Sequence, residues 1–93
     1  MKTIKYILVN ETSSENAVRA IRDCHLPDIE YNHIVEAGSL SSEELVGQLC
    51  RLRRHYPNAK ILGISELGEH GVQPNGTMNR VRREMSDLQN EHG

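Results

Sequence analysis

Apolar positions in this chain switch between helical and strand-like spacing, and the switches mark its elements. The clearest passage runs from Leu40 to Ser65. Ser41 and Glu44 have the spacing of a capping box, and Leu40 and Leu45 sit where a hydrophobic staple would place them, so the pattern predicts a helix beginning at Ser42. Leu45, Leu49, Leu52 and Tyr56 follow at intervals of four, three and four, the repeat of a helix with one buried face. Val46 and Cys50 widen that face, and Pro57 ends it. Ile61, Leu62 and Ile64 then form a short apolar run, as in a strand covered on both sides.

The same reading extends outward. Ile4 to Val9 is a β-branched, apolar run that suits a central strand, and it stops at the polar cluster Asn10 to Ser14. A helix capped by Ser13 or Ser14 follows, with Glu15 in its first turn and Ala17, Val18, Ile21 and Cys24 as its inner face; Pro27 blocks its continuation. Tyr31 to Ala37 reads as an edge strand, because neither of its faces is purely apolar. Glu66 to Gly76 carries Gly68, Gly71, Pro74 and Gly76 and reads as a loop of about ten residues, long against the usual median of about 4–6. Met78, Val81, Met85 and Leu88 give a last helix a narrow apolar seam that packs on its own sheet or pairs with a second copy.

The element order is strand, helix, strand, helix, strand, helix. It predicts an α/β fold: a small three-stranded, mostly parallel sheet in the order 2-1-3, with right-handed crossovers and helices packed on its faces. The alternative is an α+β sandwich with the second strand antiparallel, since the connection from His25 to Glu30 does not fix its direction. In the parallel arrangement a topological switch falls between the ends of strands one and three, where open α/β sheets bind ligands. Asn10, Glu11, Thr12, Ser13, Ser65 and Glu66 would stand there. Leu49 to Ser65 resembles the helix-to-strand step of receiver-like α/β domains. That family's acidic pocket and distal lysine have no counterpart, and Asn10-Glu11 follows the first strand where an acidic pair would be wanted, so membership is not assigned.

Ninety-three residues make one domain, 1–93, too short to divide its apolar residues between two cores. With no Phe or Trp and three Tyr the core is aliphatic, which predicts modest stability or help from self-association. The formal net charge of −2 argues against wholesale electrostatic binding to nucleic acid or acidic membranes and leaves room for a local basic patch. Cys24 and Cys50 read as reduced thiols, and the apolar run after Met1 is too short for a signal peptide or a span, so a cytoplasmic protein without membrane attachment is expected.

Two basic clusters differ in placement. Arg51, Arg53, Arg54 and His55 lie in the last turns of the second helix, with Glu43 and Glu44 in its first, the order the helix dipole favours. Arg80, Arg82 and Arg83 lie near the start of the last helix, whereas Glu84, Asp87 and Glu91 lie toward its end. That reversed order costs a few tenths of a kcal/mol per exposed charge and suits an anion, because guanidinium forks and helix-end N–H groups can point the same way. Asn75 and Thr77 stand just ahead of this cluster.

Other chemistry is weaker. Cys24, His25, Cys50 and His55 lack the short spacing of a zinc module, and Ser65, Glu66 and His70 lack a nucleophile elbow, so neither a metal nor catalysis is expected. No phosphate-cradling Gly-x-x-x-x-Gly-Lys occurs, and no cofactor is expected. The leading expectation is a non-catalytic regulatory or adaptor module meeting an anionic partner, a nucleic acid or an acidic protein, through Arg80, Arg82 and Arg83. The alternatives are a module holding a phosphate-bearing small molecule near Asn10, Thr12 and Ser13 at the ends of strands one and three, and a self-associating module that dimerises through its last helix.

Overall fold

β1 (Tyr6–Asn10) is the axis of the molecule and is buried along its whole length. In the computed structural model, which describes residues 3–69 and 71–92, it lies between β2 (Asn32–Glu36) and β3 (Lys60–Gly63), both parallel to it. The register runs from Tyr6 opposite Asn32 to Asn10 opposite Glu36, and from Tyr6 opposite Lys60 to Val9 opposite Gly63. The sheet order is therefore 2-1-3 and the second strand is parallel, as the element order predicts.

Alternation along the strands divides the core in two. Ile7, Val9, Val35 and Ile61 face α2 (Ser42–His55) and α3 (Gly76–His92), meeting Val46, Leu49, Cys50, Met78, Val81 and Met85. Tyr6, Leu8 and Leu62 face α1 (Ser14–Asp23), meeting Ala17 and Ile29. The chain reverses its direction across the sheet after β2, so right-handed connections put α1 on one side and α2 on the other.

Helix starts follow the local chemistry. Ser13 caps α1 by accepting the Asn16 N–H, and Ser41 with Glu44 closes the capping box of α2 in both directions. Four expectations shift. Val18 is 64% exposed, because Ala17, Ala20, Ile21 and Cys24 already fill the inner side of α1 and Val18 lies about 100° round from Ala17. Both β1 and β3 register differently from their apolar runs: Ile4 precedes β1, and Ile64 begins a 3-10 turn, Ile64–Glu66. The long loop is in part a hairpin, β4 (Leu67–Gly68) against β5 (Gly71–Val72), anchored where the Gln73 N–H donates to the Glu66 carbonyl. Met78, Val81 and Met85 are buried in the chain's own core and are not free for a dimer; Leu88 alone of that seam is 37% exposed. His70 and the side chain of Glu91 lie outside the described residues. Both cysteines are free thiols, and among the described residues no helix is long and apolar enough to cross a membrane.

Candidate functional site

The ends of β1 and β3 bring most of the sequence candidates together. Asn10, the last residue of β1, is 1% exposed. Its amide donates to Glu36 Oε2 at 2.8 Å, and its Oδ1 accepts from the N–H and hydroxyl of Thr12 at 3.0 and 3.1 Å. Asn10 thus ties the edge strand to the turn that launches α1. Across the switch, Asn75 Nδ2 donates to Ser65 Oγ at 2.7 Å, and Ser65 Oγ donates to Glu11 Oε1 at 3.0 Å. Asn75 Oδ1 caps α3, accepting the N–H groups of Thr77 and Met78 at 2.9 and 3.2 Å.

This arrangement needs Gly63. A Cβ there would lie 2.7 Å from Glu11 Oε1 and 2.8 Å from Met78 Cγ, so only glycine lets both side chains close over the end of β3. The result is a polar rim whose side-chain hydrogen bonds are turned on one another. A carboxylate, Glu11, sits in its middle, where it would repel a phosphate.

Below the rim lies a charged pair that sequence reasoning did not foresee. Arg82 grips Glu66 through both guanidinium nitrogens, Nη1 to Oε1 at 2.9 Å and Nη2 to Oε2 at 2.7 Å. Nη1 also donates to the Ile61 carbonyl on the outer edge of β3, and Nη2 to Asn79 Oδ1. Glu66 is 1% exposed and also accepts the Gly63 N–H. Burial by itself pushes the Glu66 carboxyl up, but the Arg82 and Gly63 donors and the guanidinium charge outweigh it and hold the carboxyl below its ordinary range. Arg82 is raised, by its hydrogen bonds to Glu66 against the opposing cost of burial. Arg82 therefore pins α3 to β3 and covers an exposed sheet edge. A signal for this was available: Arg82 lies four residues after Met78 and three before Met85, on the flank of the buried seam.

Arg80 and Arg83, by contrast, are exposed. Neither has an ion pair among the described residues, although Glu84 and Asp87 stand four residues on; Arg before Glu is the weaker order for such pairs. Arg51, Arg53 and Arg54 on α2 are likewise without ion pairs, and Arg53 Nε is buried with no hydrogen-bond partner. On the other side of the sheet Lys5 pairs with Asp28, Arg19 with Glu15 and Arg22 with Asp23, while Lys60 on β3 is exposed with no ion pair among the described residues. At the far end of α3, Glu84, Asp87 and Leu88 join Ser42, Glu43 and Val46 of α2 around a groove of about 630 Å³.

Among the described residues no group of three or more His, Cys, Asp or Glu side chains is placed to hold a metal ion. Ser65 and Glu66 do not meet as a nucleophile and its base: Ser65 turns to Glu11, and Glu66 turns inward to Arg82. Compared with known proteins, the chain matches no family model, no curated protein and no solved structure.

Proposed function

We propose that this protein is a non-catalytic interaction module that takes an acidic segment of a partner protein on the side of the sheet covered by α2 and α3, with Arg80 and Arg83 as the principal contacts. The observation that supports this reading is the asymmetry of charge pairing. Lys5, Arg19 and Arg22 on the α1 side are closed by carboxylates, whereas Arg80 and Arg83 on α3 are exposed with no ion pair among the described residues. Arg82 anchors the helix that presents Arg80 and Arg83 and is not itself a contact. An acidic protein segment is favoured over nucleic acid because Glu43, Glu44, Glu84 and Asp87 are exposed on the same two helices and would repel a continuous polyanion.

Fluorescence anisotropy with a labelled Glu/Asp-rich peptide, and with duplex DNA as the competing probe, tests this. The peptide should bind and weaken as salt rises, and Arg80→Gln with Arg83→Gln should remove binding while the far-UV spectrum is unchanged. Tighter binding to DNA, with a log–log salt slope of about −2 for two phosphate contacts, would move the reading to nucleic acid. No salt-sensitive binding of either probe would end it.

A further inference from the structure

The outward face of α2 carries a charge pattern that its own chain leaves unanswered. Taking Leu49 as the centre of the buried side, Gly47 lies in the middle of the opposite side, with Glu43 and Glu44 toward the start of the helix and Arg51 and Arg54 toward its end. All four are exposed and none is in an ion pair among the described residues, although Glu44 Oε1 accepts the Ser41 N–H in the capping box. In α1 the acid of the first turn, Glu15, reaches Arg19 four residues on; in α2 the residues four on from Glu43 and Glu44 are Gly47 and Gln48, so the charges cannot close within the helix. The helix dipole accounts for their order. It does not account for Glu84 and Asp87, which α3 brings to the acidic end of α2 against its own dipole.

Gly47 is the second observation. Glycine is the poorest interior helix former after proline, and nothing lies within 4 Å of where a Cβ would be, so the chain's own packing does not call for it. A bare backbone in the middle of an outward helix face does suit close approach by another helix.

We infer that this face docks a second copy of the chain, with the two α2 helices crossing antiparallel about a twofold axis at Gly47. The occupant follows from complementarity. Glu43 and Arg51 lie four residues, about 6 Å, on either side of Gly47 along the helix, with Arg54 about 10 Å beyond it. An antiparallel copy therefore sets the acidic end of each helix, reinforced by Glu84 and Asp87, over Arg51 and Arg54 of the other, twice by symmetry. Such an isologous contact closes at two subunits. Leu88, 37% exposed beside the acidic groove, adds apolar contact at each end. The inference goes beyond the acidic-partner reading and uses a different surface from Arg80 and Arg83.

Sedimentation equilibrium on the full chain, from micromolar to millimolar concentration at low and high salt, tests it. The expected result is a dimer whose dissociation constant rises about tenfold or more with salt, since the contacts are exposed charge pairs. Gly47→Gln should fold, with a higher melting temperature because helix propensity improves, and should be monomeric. Glu43→Lys with Glu84→Lys, and separately Arg51→Glu with Arg54→Glu, should each be monomeric alone and associate when mixed one to one. Arg80→Gln with Arg83→Gln should keep the dimer while losing the acidic peptide, which separates a failure here from a failure of the acidic-partner reading. A wild-type chain monomeric at millimolar concentration and low salt, a Gly47→Gln protein that still dimerises, or a mixture that stays monomeric would each overturn the inference. Binding of a basic peptide to a monomeric wild type would assign the acidic end of the face to a foreign partner instead.

Discussion

The polar rim at the ends of β1 and β3 and the charged side formed by α2 and α3 use similar residues to opposite ends. At the rim, Asn10, Thr12, Ser65, Asn75 and Glu11 are joined by hydrogen bonds of 2.7–3.1 Å and hold the strand ends to the helix starts. On the helices, Arg51, Arg53, Arg54, Arg80 and Arg83 stand without ion pairs among the described residues, and Arg80 and Arg83 leave Glu84 and Asp87 unanswered four residues on. A small α/β domain thus closes its strand ends with polar contacts and carries its unpaired charge on helices. Its sheet is three strands wide, so the crevice that usually receives a ligand at a topological switch is spent on closing the fold. The unpaired charge lies instead on the helix surface, and the arginines of α3 show the division within one turn: Arg82 holds the fold and its neighbours Arg80 and Arg83 face solvent.

The largest effect should come from breaking the pair that supports both regions. Arg82→Gln leaves Glu66 as a buried carboxylate without its countercharge, and removing one partner of a buried pair typically costs about 3–5 kcal/mol. The effect should depend on pH in a definite direction. Glu66 titrates below its ordinary value when folded, so the stabilisation is complete above about pH 5 and is lost as pH falls through the lowered native value. Arg82 stays charged throughout, so the carboxylate alone sets the window. Urea unfolding of wild type and variant at neutral and acidic pH should show a deficit that shrinks on acidification. An equal deficit at both would mean that Arg82 acts through packing, not charge.

Leu49→Ala comes next and strikes rim and helix side alike. Leu49 is fully buried, at the centre of the stripe that holds α2 to the sheet, and such truncations cost about 2–5 kcal/mol. In an aliphatic core this is a large part of a stability of about 5–15 kcal/mol. A shift in thermal midpoint no greater than that of a surface variant would show that α2 is held by something other than this stripe.

The main elements were legible because their signals are periodic and long. The capping box of α2, the three-four spacing of Leu45, Leu49 and Leu52, and the stop at Pro57 each carry a stereochemical reason, and the helix lies where they place it. The β4–β5 hairpin was not legible, since strands of two residues hold a single alternation of inside and outside and so show no repeat. The Glu66–Arg82 pair was hidden for another reason: its members are sixteen residues apart on different elements, and a sequence shows charge order along a helix more readily than contact across one. Reading Arg80, Arg82 and Arg83 as one cluster treated neighbours in sequence as neighbours in space, although successive helical residues point about 100° apart.

The smallest effect separates the two jobs of Asn75 at the rim. Its Oδ1 caps α3 while its amide donates to Ser65, which in turn donates to Glu11. Asn75→Ala removes both and should cost about 1 kcal/mol, the usual value of a lost cap. Asn75→Asp keeps a capping oxygen and puts negative charge at the favourable helix end, but it cannot donate to Ser65, whose one hydrogen already goes to Glu11, and it sets a second carboxylate beside that pair. Its stability, measured by urea unfolding at neutral pH, should therefore fall between wild type and Asn75→Ala. If Asn75→Asp matches wild type, the Asn75–Ser65–Glu11 bridge adds nothing and the rim is held by the cap alone. If Asn75→Asp falls below Asn75→Ala, which lacks the bridge as well, repulsion between the new carboxylate and Glu11 outweighs the cap, and closure of the strand ends depends on a neutral side chain at position 75.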